Sequence, residues 1–318
     1  MKAAILRSFG TPLDIGDMPI PAGTGQEVLV QVRGTGVCHS DLHIAQGRYP
    51  DLQLPLVLGH EIAGYADGLG AVLVYPGWGC GTCRPCQAGQ EQLCTRVREP
   101  GWTADGGYAD AVLVPSPRYL LPLEGLDPVR AAPLADAGLT PYRAVRRTLP
   151  WLTAGATTAI IGIGALGQFA IQYVRLLSEA RIVAVDTSAT KRDIALTLGA
   201  DEAVGSLYGF RDLDVVLDLV GTDESLAAAV LTVRRGGVVI LVGEAGGRVA
   251  FGMEHVPYEG TLATSVSGSR QELSEVLELA QTGQIRWDVE PLPLRLVNTA
   301  LDRLRDGQAA DRLVLVPE

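Results

Sequence analysis

Lysine is nearly absent from this chain: of 26 basic residues only Lys2 and Lys191 are lysines, and the rest are arginine. Such a skew is an unreliable marker of a hot habitat and carries no functional conclusion. Positive charge is in deficit overall, with 36 acidic residues and a formal net charge of −10. That balance excludes a general affinity for nucleic acid or anionic membrane, because no basic excess exists to neutralise phosphates. No apolar run reaches the roughly 20 residues that a membrane span requires. The opening MKAAILRSFG has one lysine and loses its apolar character by Ser8, so it lacks a signal-peptide core, and a cytoplasmic location is expected. Charged residues make up only 19% against 47% hydrophobic, and the 38 Gly and 19 Pro follow no G-X-Y period. Disordered and collagen-like chains are thereby excluded. No internal repeat or low-complexity segment is present, and 318 residues suit two domains of about 100 to 200 residues each.

The texture of the chain changes near Thr140. Before it, short apolar runs at 28–32, 69–75 and 108–114 are broken every 8 to 12 residues or so by Gly and Pro, the spacing of a sandwich or barrel. After it, a helical YRAVRR leads to a strand at 158–161, a glycine turn, a helix at 166–178 and a strand at 181–185. Helices at 191–198 and 224–233 then alternate with strands at 214–218 and 238–243. Such alternation predicts a parallel, doubly wound α/β sheet. A helix at 271–281 and a terminal strand, RLVLVP, complete the chain.

Gly162, Gly164 and Gly167 form G-x-G-x-x-G between a predicted strand and a predicted helix. The first permits a tight turn, the second lets backbone N–H groups approach a pyrophosphate, and the third lets helix and strand pack closely. The helix N-terminus adds unpaired donors and partial positive charge. Asp186 ends the second strand, where a carboxylate accepts hydrogen bonds from an adenosine ribose and repels a 2′-phosphate, which favours NAD over NADP. Asp186 could instead cap the next helix, and Lys191 and Arg192 stand close enough to soften the preference.

The five cysteines fall into two groups. Cys80, Cys83, Cys86 and Cys94 give C-x2-C-x2-C-x7-C, a spacing that can close a four-sulfur shell around a structural zinc and leave no position for substrate. An iron–sulfur cluster also uses C-x2-C-x2-C, though nothing nearby suggests electron transfer. In a reducing compartment metal is favoured over disulfides. Cys38, in VCHSDLH, is followed by GHE at positions 59–61. One Cys, one His and a nearby carboxylate make a reasonable open zinc shell.

Together VCHSDLH, GHE, the cysteine lobe, GGYADAVLVP, APLADAGLTPYRAV and IIGIGALGQFAIQYVR resemble, in order and over nearly the whole chain, the zinc-dependent medium-chain alcohol dehydrogenases. The resemblance implies a GroES-like β-barrel catalytic domain at 1–138 and 267–318, and a Rossmann NAD-binding domain at 139–266. By it, Cys38, His60 and Asp136 hold a catalytic zinc, giving two zinc ions per chain. Glu61 is the carboxylate that can approach that metal, Ser40 the hydroxyl that bonds the alcohol oxygen, and His43 the end of a proton relay. His39, Thr140, Gly162, Gly164, Ala165, Leu166, Gly167, Asp186, Arg192 and Val242 fall on the cofactor side.

The implied reaction is reversible hydride transfer between a secondary or primary alcohol and NAD+, giving a ketone or aldehyde. The alternatives are a zinc polyol, butanediol or threonine dehydrogenase, and a non-catalytic dinucleotide-binding relative. Trp78, Trp102 and Leu139 are bulky, apolar candidates for a substrate pocket. A homo-oligomer is implied, a tetramer ahead of a dimer, joined through the sheet edge near 240–266. Two stretches are short for the family: 62–79, near the catalytic metal, and 201–214, on the adenine side, where little room is left for a helix.

Overall fold

The structure, a computed structural model, describes residues 1–309 and 311–318. In chain order the first part holds strands β1 (Lys2–Leu6), β2 (Asp14–Asp17) and β3 (Val28–Gly36), helix α1 (His39–Ala45), and strands β4 (Leu56–Val57), β5 (Glu61–Ala66) and β6 (Gly70–Val74). Helix α2 (Arg84–Gln87), strands β7 (Ala111–Val114) and β8 (Leu120–Pro122) and helix α3 (Pro128–Ala131) follow. The middle part runs α4 (Leu139–Thr148), β9 (Thr157–Ile161), α5 (Ala165–Leu177), β10 (Arg181–Val185), α6 (Ala189–Thr197), β11 (Glu202–Val204), β12 (Leu213–Asp218), α7 (Asp223–Thr232), β13 (Val233–Leu241) and β14 (Thr261–Thr264). The last part holds α8 (Arg270–Gln281), β15 (Val289–Pro293), α9 (Val297–Arg305) and β16 (Arg312–Val316).

Two compact units result, one of Met1–Asp136 with Ser269–Glu318, the other of Ala137–Gly268. The α/β assignment and both fold types expected from the sequence are present.

The first unit is built on a mostly antiparallel sheet in the order β15-β16-β3-β5-β6-β8, with β7 also paired to β3, and a three-stranded sheet β2-β1-β4. In β3 the residues alternate, Val30 and Val32 inward and Gln31 and Arg33 outward, so one face is buried. The short 62–79 stretch is accommodated by a tight connection, since β5 passes to β6 through residues 67–69 alone. Its core gathers Leu6, Ile44, Leu58, Tyr108, Val297 and Leu315, so segments from both ends of the sequence share one interior. Each such side chain contributes roughly 1.5 to 3 kcal/mol by leaving water.

The second unit is a six-stranded parallel sheet in the order β11-β10-β9-β12-β13-β14. Counting from β9, that order is 3-2-1-4-5-6, whose direction reverses between β9 and β12 and opens a crevice at their carboxyl ends. Ala159, Ile160, Val183, Ala184, Val215 and Val216 are buried on both faces, as a sheet covered by helices on each side demands. Strand β13 starts at Val233, ahead of the expected 238, and its pairing with β12 shifts register between Leu213 and Val215. No helix forms between β11 and β12, where the sequence is short. The chain re-enters the first unit at Ser269, whose hydroxyl accepts the Glu272 N–H while Glu272 accepts the Ser269 N–H.

Candidate functional site

Three loops of the first unit carry the first constellation. Cys38 is the N-cap of α1, in extended conformation, and Asp41 three residues on accepts its N–H at 2.9 Å. His60 precedes β5 and follows Gly59, whose φ of +94° and close packing on the Tyr108 ring admit only glycine. Asp136 ends a single 3₁₀ turn, Ala132–Ala135. These loops bring Cys38 Sγ, His60 and Asp136 within 4.8 Å of one another. Cys38 Sγ lies 3.5 Å, and His60 Nε2 3.6 Å, from Asp136 Oδ2.

The other face of the imidazole meets Asp41. His60 Nδ1 is buried, makes no well-aligned hydrogen bond, and has Asp41 Oδ1 at 3.3 Å. In its neutral form with the proton on Nδ1, toward Asp41, His60 would turn an Nε2 lone pair toward Cys38 and Asp136, so that electron pairs converge. Burial works against charge on the imidazole, but the Asp41 and Asp136 carboxylates push its pKa well above the ordinary value. Burial likewise works against the Asp41 carboxylate, yet His60, the Cys38 N–H and the Tyr108 hydroxyl hold it below its usual range. The pocket calls for a cation. Tetrahedral zinc with bonds of about 2.0 to 2.3 Å needs donors about 3.3 to 3.8 Å apart, so the measured spacings fit one.

Behind these residues Glu61 opens β5, with both oxygens held by Arg312 of β16, at 2.9 Å to Nε and 2.5 Å to a terminal nitrogen. Both partners are buried, and Arg312 also stands 4.0 Å from Asp136. Burial opposes the guanidinium charge, but Glu61 drives the Arg312 pKa well above the ordinary arginine value. Burial pushes the Glu61 carboxyl up as well; contact with a group that cannot shed its proton keeps the pair ionic. Gly36 makes room for it, since a Cβ there would lie 1.6 Å from Glu61 Oε2.

Ser40 and His43 sit on α1, the Ser40 hydroxyl 3.8 Å from Cys38 Sγ. His43 is half-buried one turn on, with an Arg48 terminal nitrogen 3.4 Å from its ring nitrogens. Burial, then the Arg48 charge, holds its pKa below the usual histidine value. His39 is exposed at the first position of the helix.

The second constellation is the cysteine lobe. Cys80, Cys83, Cys86 and Cys94 lie within 4.8 Å of one another, with Cys83 Sγ 3.4 Å and Cys80 Sγ 4.0 Å from Cys86 Sγ. None of the four is in a disulfide, and their spacings bracket the roughly 3.8 Å edge of a zinc–sulfur tetrahedron. Hydrogen bonds from Thr82 and the Cys83 N–H lower the Cys80 pKa to about 5, whereas burial pushes Cys86 up to about 12. Trp78 packs here, its ring N–H donated to Tyr75 and its face near Tyr119, so its bulk is spent on the lobe. Trp102 is half-buried against Tyr49, ring centres 4.7 Å apart, and Leu139 is buried in α4 of the second unit.

The third constellation lies in the second unit. Gly162 follows β9 with φ +92°, and a Cβ on Gly167 would lie 2.1 Å from the Gly162 carbonyl. At Gly164, the N-cap of α5, a Cβ would meet nothing within 4 Å, so the turn presents bare backbone to open space. Ala165 and Leu166 start that helix. Asp186 accepts the Ile163 N–H and the Ser188 N–H, each at 2.9 Å, which ties the end of β10 to the glycine turn. Arg192 donates to the Asp186 and Thr187 carbonyls at 2.8 and 2.9 Å. Val242 follows β13, and Thr140 is buried in α4.

Residues 24–125 match the alcohol dehydrogenase GroES-like domain, and residues 165–282 the zinc-binding dehydrogenase domain. The chain belongs to the zinc-dependent medium-chain alcohol dehydrogenase family. Among its relatives are an NAD-dependent alcohol dehydrogenase of Sulfolobus acidocaldarius, 36% identical over 99% of both chains, and the D-arabinose 1-dehydrogenase (NADP(+)) of Saccharolobus solfataricus, 36% identical over 99% of this chain and 97% of that one. The structure superposes on the alcohol dehydrogenase of Aeropyrum pernix with a TM-score of 0.91 at 33% identity, over 100% of both chains. An NAD-dependent alcohol dehydrogenase of Sulfurisphaera tokodaii aligns over 352 positions and 100% of both chains. With 318 residues, this member of the family is therefore shortened internally.

Asp41, Tyr108 and Arg312 were not singled out from the sequence, although each lies inside a run that was. Asp41 alone had a local signal, its place three residues after a helix N-cap.

Proposed function

We propose that this chain is an NAD-dependent zinc alcohol dehydrogenase that interconverts a secondary or primary alcohol with a ketone or aldehyde. The observation that carries the reading is the convergence of Cys38 Sγ, His60 Nε2 and Asp136 Oδ2 in a pocket that calls for a cation, in a chain whose other unit bears the glycine turn and Asp186. Cys38, His60 and Asp136 would hold a catalytic zinc, and the four cysteines of the lobe a structural one, two ions per chain. A zinc ion in the open shell supplies a Lewis-acid charge that favours the deprotonated form of a bound alcohol.

The chain's own groups do the rest. The Ser40 hydroxyl, beside Cys38, would accept the alcohol proton while giving up its own toward the nicotinamide ribose, and neutral His43, at the outer end of that relay, would pass a proton to solvent. Glu61, held on both oxygens by Arg312, fixes that guanidinium beside Asp136 without adding net charge. In the second unit the glycine turn and the start of α5 (Gly162, Gly164, Ala165, Leu166, Gly167) receive the pyrophosphate, and Asp186 receives the adenosine ribose. His39, Thr140, Arg192 and Val242 complete the cofactor side.

Among the described residues no helix is long and apolar enough to cross a membrane. Cysteines outside disulfides and a formal net charge of −10 suit a cytoplasmic enzyme of small molecules. A homo-oligomer, a tetramer ahead of a dimer, is supported by β14, an edge strand with Phe251, Met253, Tyr258 and Val266 exposed nearby.

The reading is tested by metal analysis of the purified protein with an alcohol panel followed by NADH absorbance. Two zinc ions per chain and NAD-linked oxidation of alcohols are expected. One zinc or none, or no turnover of any alcohol at full zinc content, would overturn it.

A further inference from the structure

The carboxylate of Asp41 is fully buried and collects more contacts than the cap of a seven-residue helix requires. Its Oδ2 accepts the Cys38 N–H and the Tyr108 hydroxyl, each at 2.9 Å, and its Oδ1 accepts the Gly59 N–H at 3.2 Å and faces His60 Nδ1 at 3.3 Å. Cys38 carries one candidate ligand atom, and Gly59 immediately precedes another. Tyr108 belongs to neither loop. It comes from the segment ahead of β7, 67 residues along the chain from Asp41.

Tyr108 is itself held rigidly. Its N–H is donated to the Leu58 carbonyl at 2.9 Å, and its carbonyl accepts the Ala4 N–H at 2.8 Å. Its ring lies against Gly59 so closely that a Cβ there would come within 2.5 Å. The hydroxyl is thus a fixed side-chain donor that adds to the Cys38 and Gly59 N–H groups in holding the carboxylate against rotation. Rotation of that carboxylate would carry Oδ1 away from the imidazole.

We propose that Tyr108 is a positioning residue of the metal site: its hydroxyl locks the Asp41 carboxylate, and the locked carboxylate orients His60 so that Nε2 faces Cys38 and Asp136. The inference rests on the reading of those three residues as zinc ligands. Outer partners of a ligating histidine commonly set metal affinity by about 10- to 100-fold. Tyr108 acts one bond further out, so an effect near tenfold is expected.

The test follows chelator-driven zinc release from the loaded, full-length protein with a colorimetric chelator, comparing wild type, Tyr108→Phe, Asp41→Asn, the double variant and Cys38→Ser. Tyr108→Phe keeps the ring and its packing. It should speed release of one zinc about tenfold and leave release from the cysteine lobe unchanged. The double variant should release zinc no faster than Asp41→Asn alone, because the hydroxyl acts through that carboxylate. Unaltered release in Tyr108→Phe, or full additivity in the double variant, would overturn the proposal. Should Tyr108→Phe fold poorly, the Asp41→Asn comparison keeps its force: release at the wild-type rate would overturn it equally. Cys38→Ser separates the two levels. If it retains the wild-type zinc count, the ligand reading itself is wrong; if it loses one zinc while Tyr108→Phe behaves as wild type, only the role of Tyr108 falls.

Discussion

Replacing Arg312 by methionine should expose how the buried pair behind the metal pocket is balanced. Arg312 occupies both oxygens of Glu61, and both side chains are buried. Methionine fills much of the same volume but leaves the carboxylate unpaired, and breaking a buried pair from one side costs about 3 to 5 kcal/mol. A unit of this size loses about 2 to 4 °C of melting temperature per kcal/mol, so a fall of roughly 6 to 20 °C is expected. The converse change, Glu61→Met, should cost less, because Arg312 keeps the Asp136 carboxylate 4.0 Å away. Joining the two substitutions removes both charges, and replacing a buried pair by apolar groups is often near neutral. The double variant should therefore recover most of the loss seen in Arg312→Met. Scanning calorimetry at a fixed free zinc concentration measures all four proteins on one footing. A melting loss in the double variant equal to the sum of the single losses would refute the reasoning, as would an Arg312→Met protein that melts with wild type.

The proposed proton relay predicts a shift in pH dependence. His43 works as an acceptor when neutral, and its lowered pKa keeps it neutral to lower pH than an ordinary histidine, so Arg48→Gln should raise that pKa and move the acid limb of kcat/KM for alcohol oxidation to higher pH; an unmoved limb would remove Arg48 from the account. At the cofactor end Asp186→Ser takes a charged acceptor from the ribose position and from the Ile163 N–H, and contacts of that kind contribute about 1.5 to 3 kcal/mol. The KM for NAD should rise by roughly 10- to 100-fold and the disadvantage of NADP should shrink, with initial rates on both cofactors as the check. Unchanged discrimination would mean that Asp186 serves only the loop.

The parts of the site that could be read from the sequence are those encoded by short spacings. The four lobe cysteines lie within fifteen positions, the glycine turn within six, and Cys38 within a run dense in His, Ser and Asp. The doubly wound sheet was legible because strands buried on both faces are continuous apolar runs divided by amphipathic helices. What the sequence concealed are partnerships between distant positions. Tyr108 reaches Asp41 across 67 residues and Arg312 reaches Glu61 across 251, and no periodicity marks either pairing. Side-chain bulk proved equally mute about direction, since Trp78 turns into the cysteine lobe beside Tyr75 and Tyr119. The early start of β13 follows from a register shift opposite β12, which depends on the neighbouring strand rather than on the residues of β13.

The placement of Arg312 on a strand that follows the whole 137–268 unit gives the order of synthesis a consequence. At about 5 to 20 residues per second, the ribosome needs roughly 13 to 50 s to travel from Glu61 to Arg312. Cys38, His60 and Glu61 exist throughout that interval and Asp136 for most of it, but the cation that neutralises Glu61 does not. A nascent first unit therefore cannot seal its interior around that carboxylate, and this part of the barrel stays hydrated and open until β16 is made. The second unit has every one of its strands in hand well before then. Newly made chains should thus hold a finished nucleotide-binding sheet beside an unfinished barrel, and it is the barrel that chaperones and proteases would encounter.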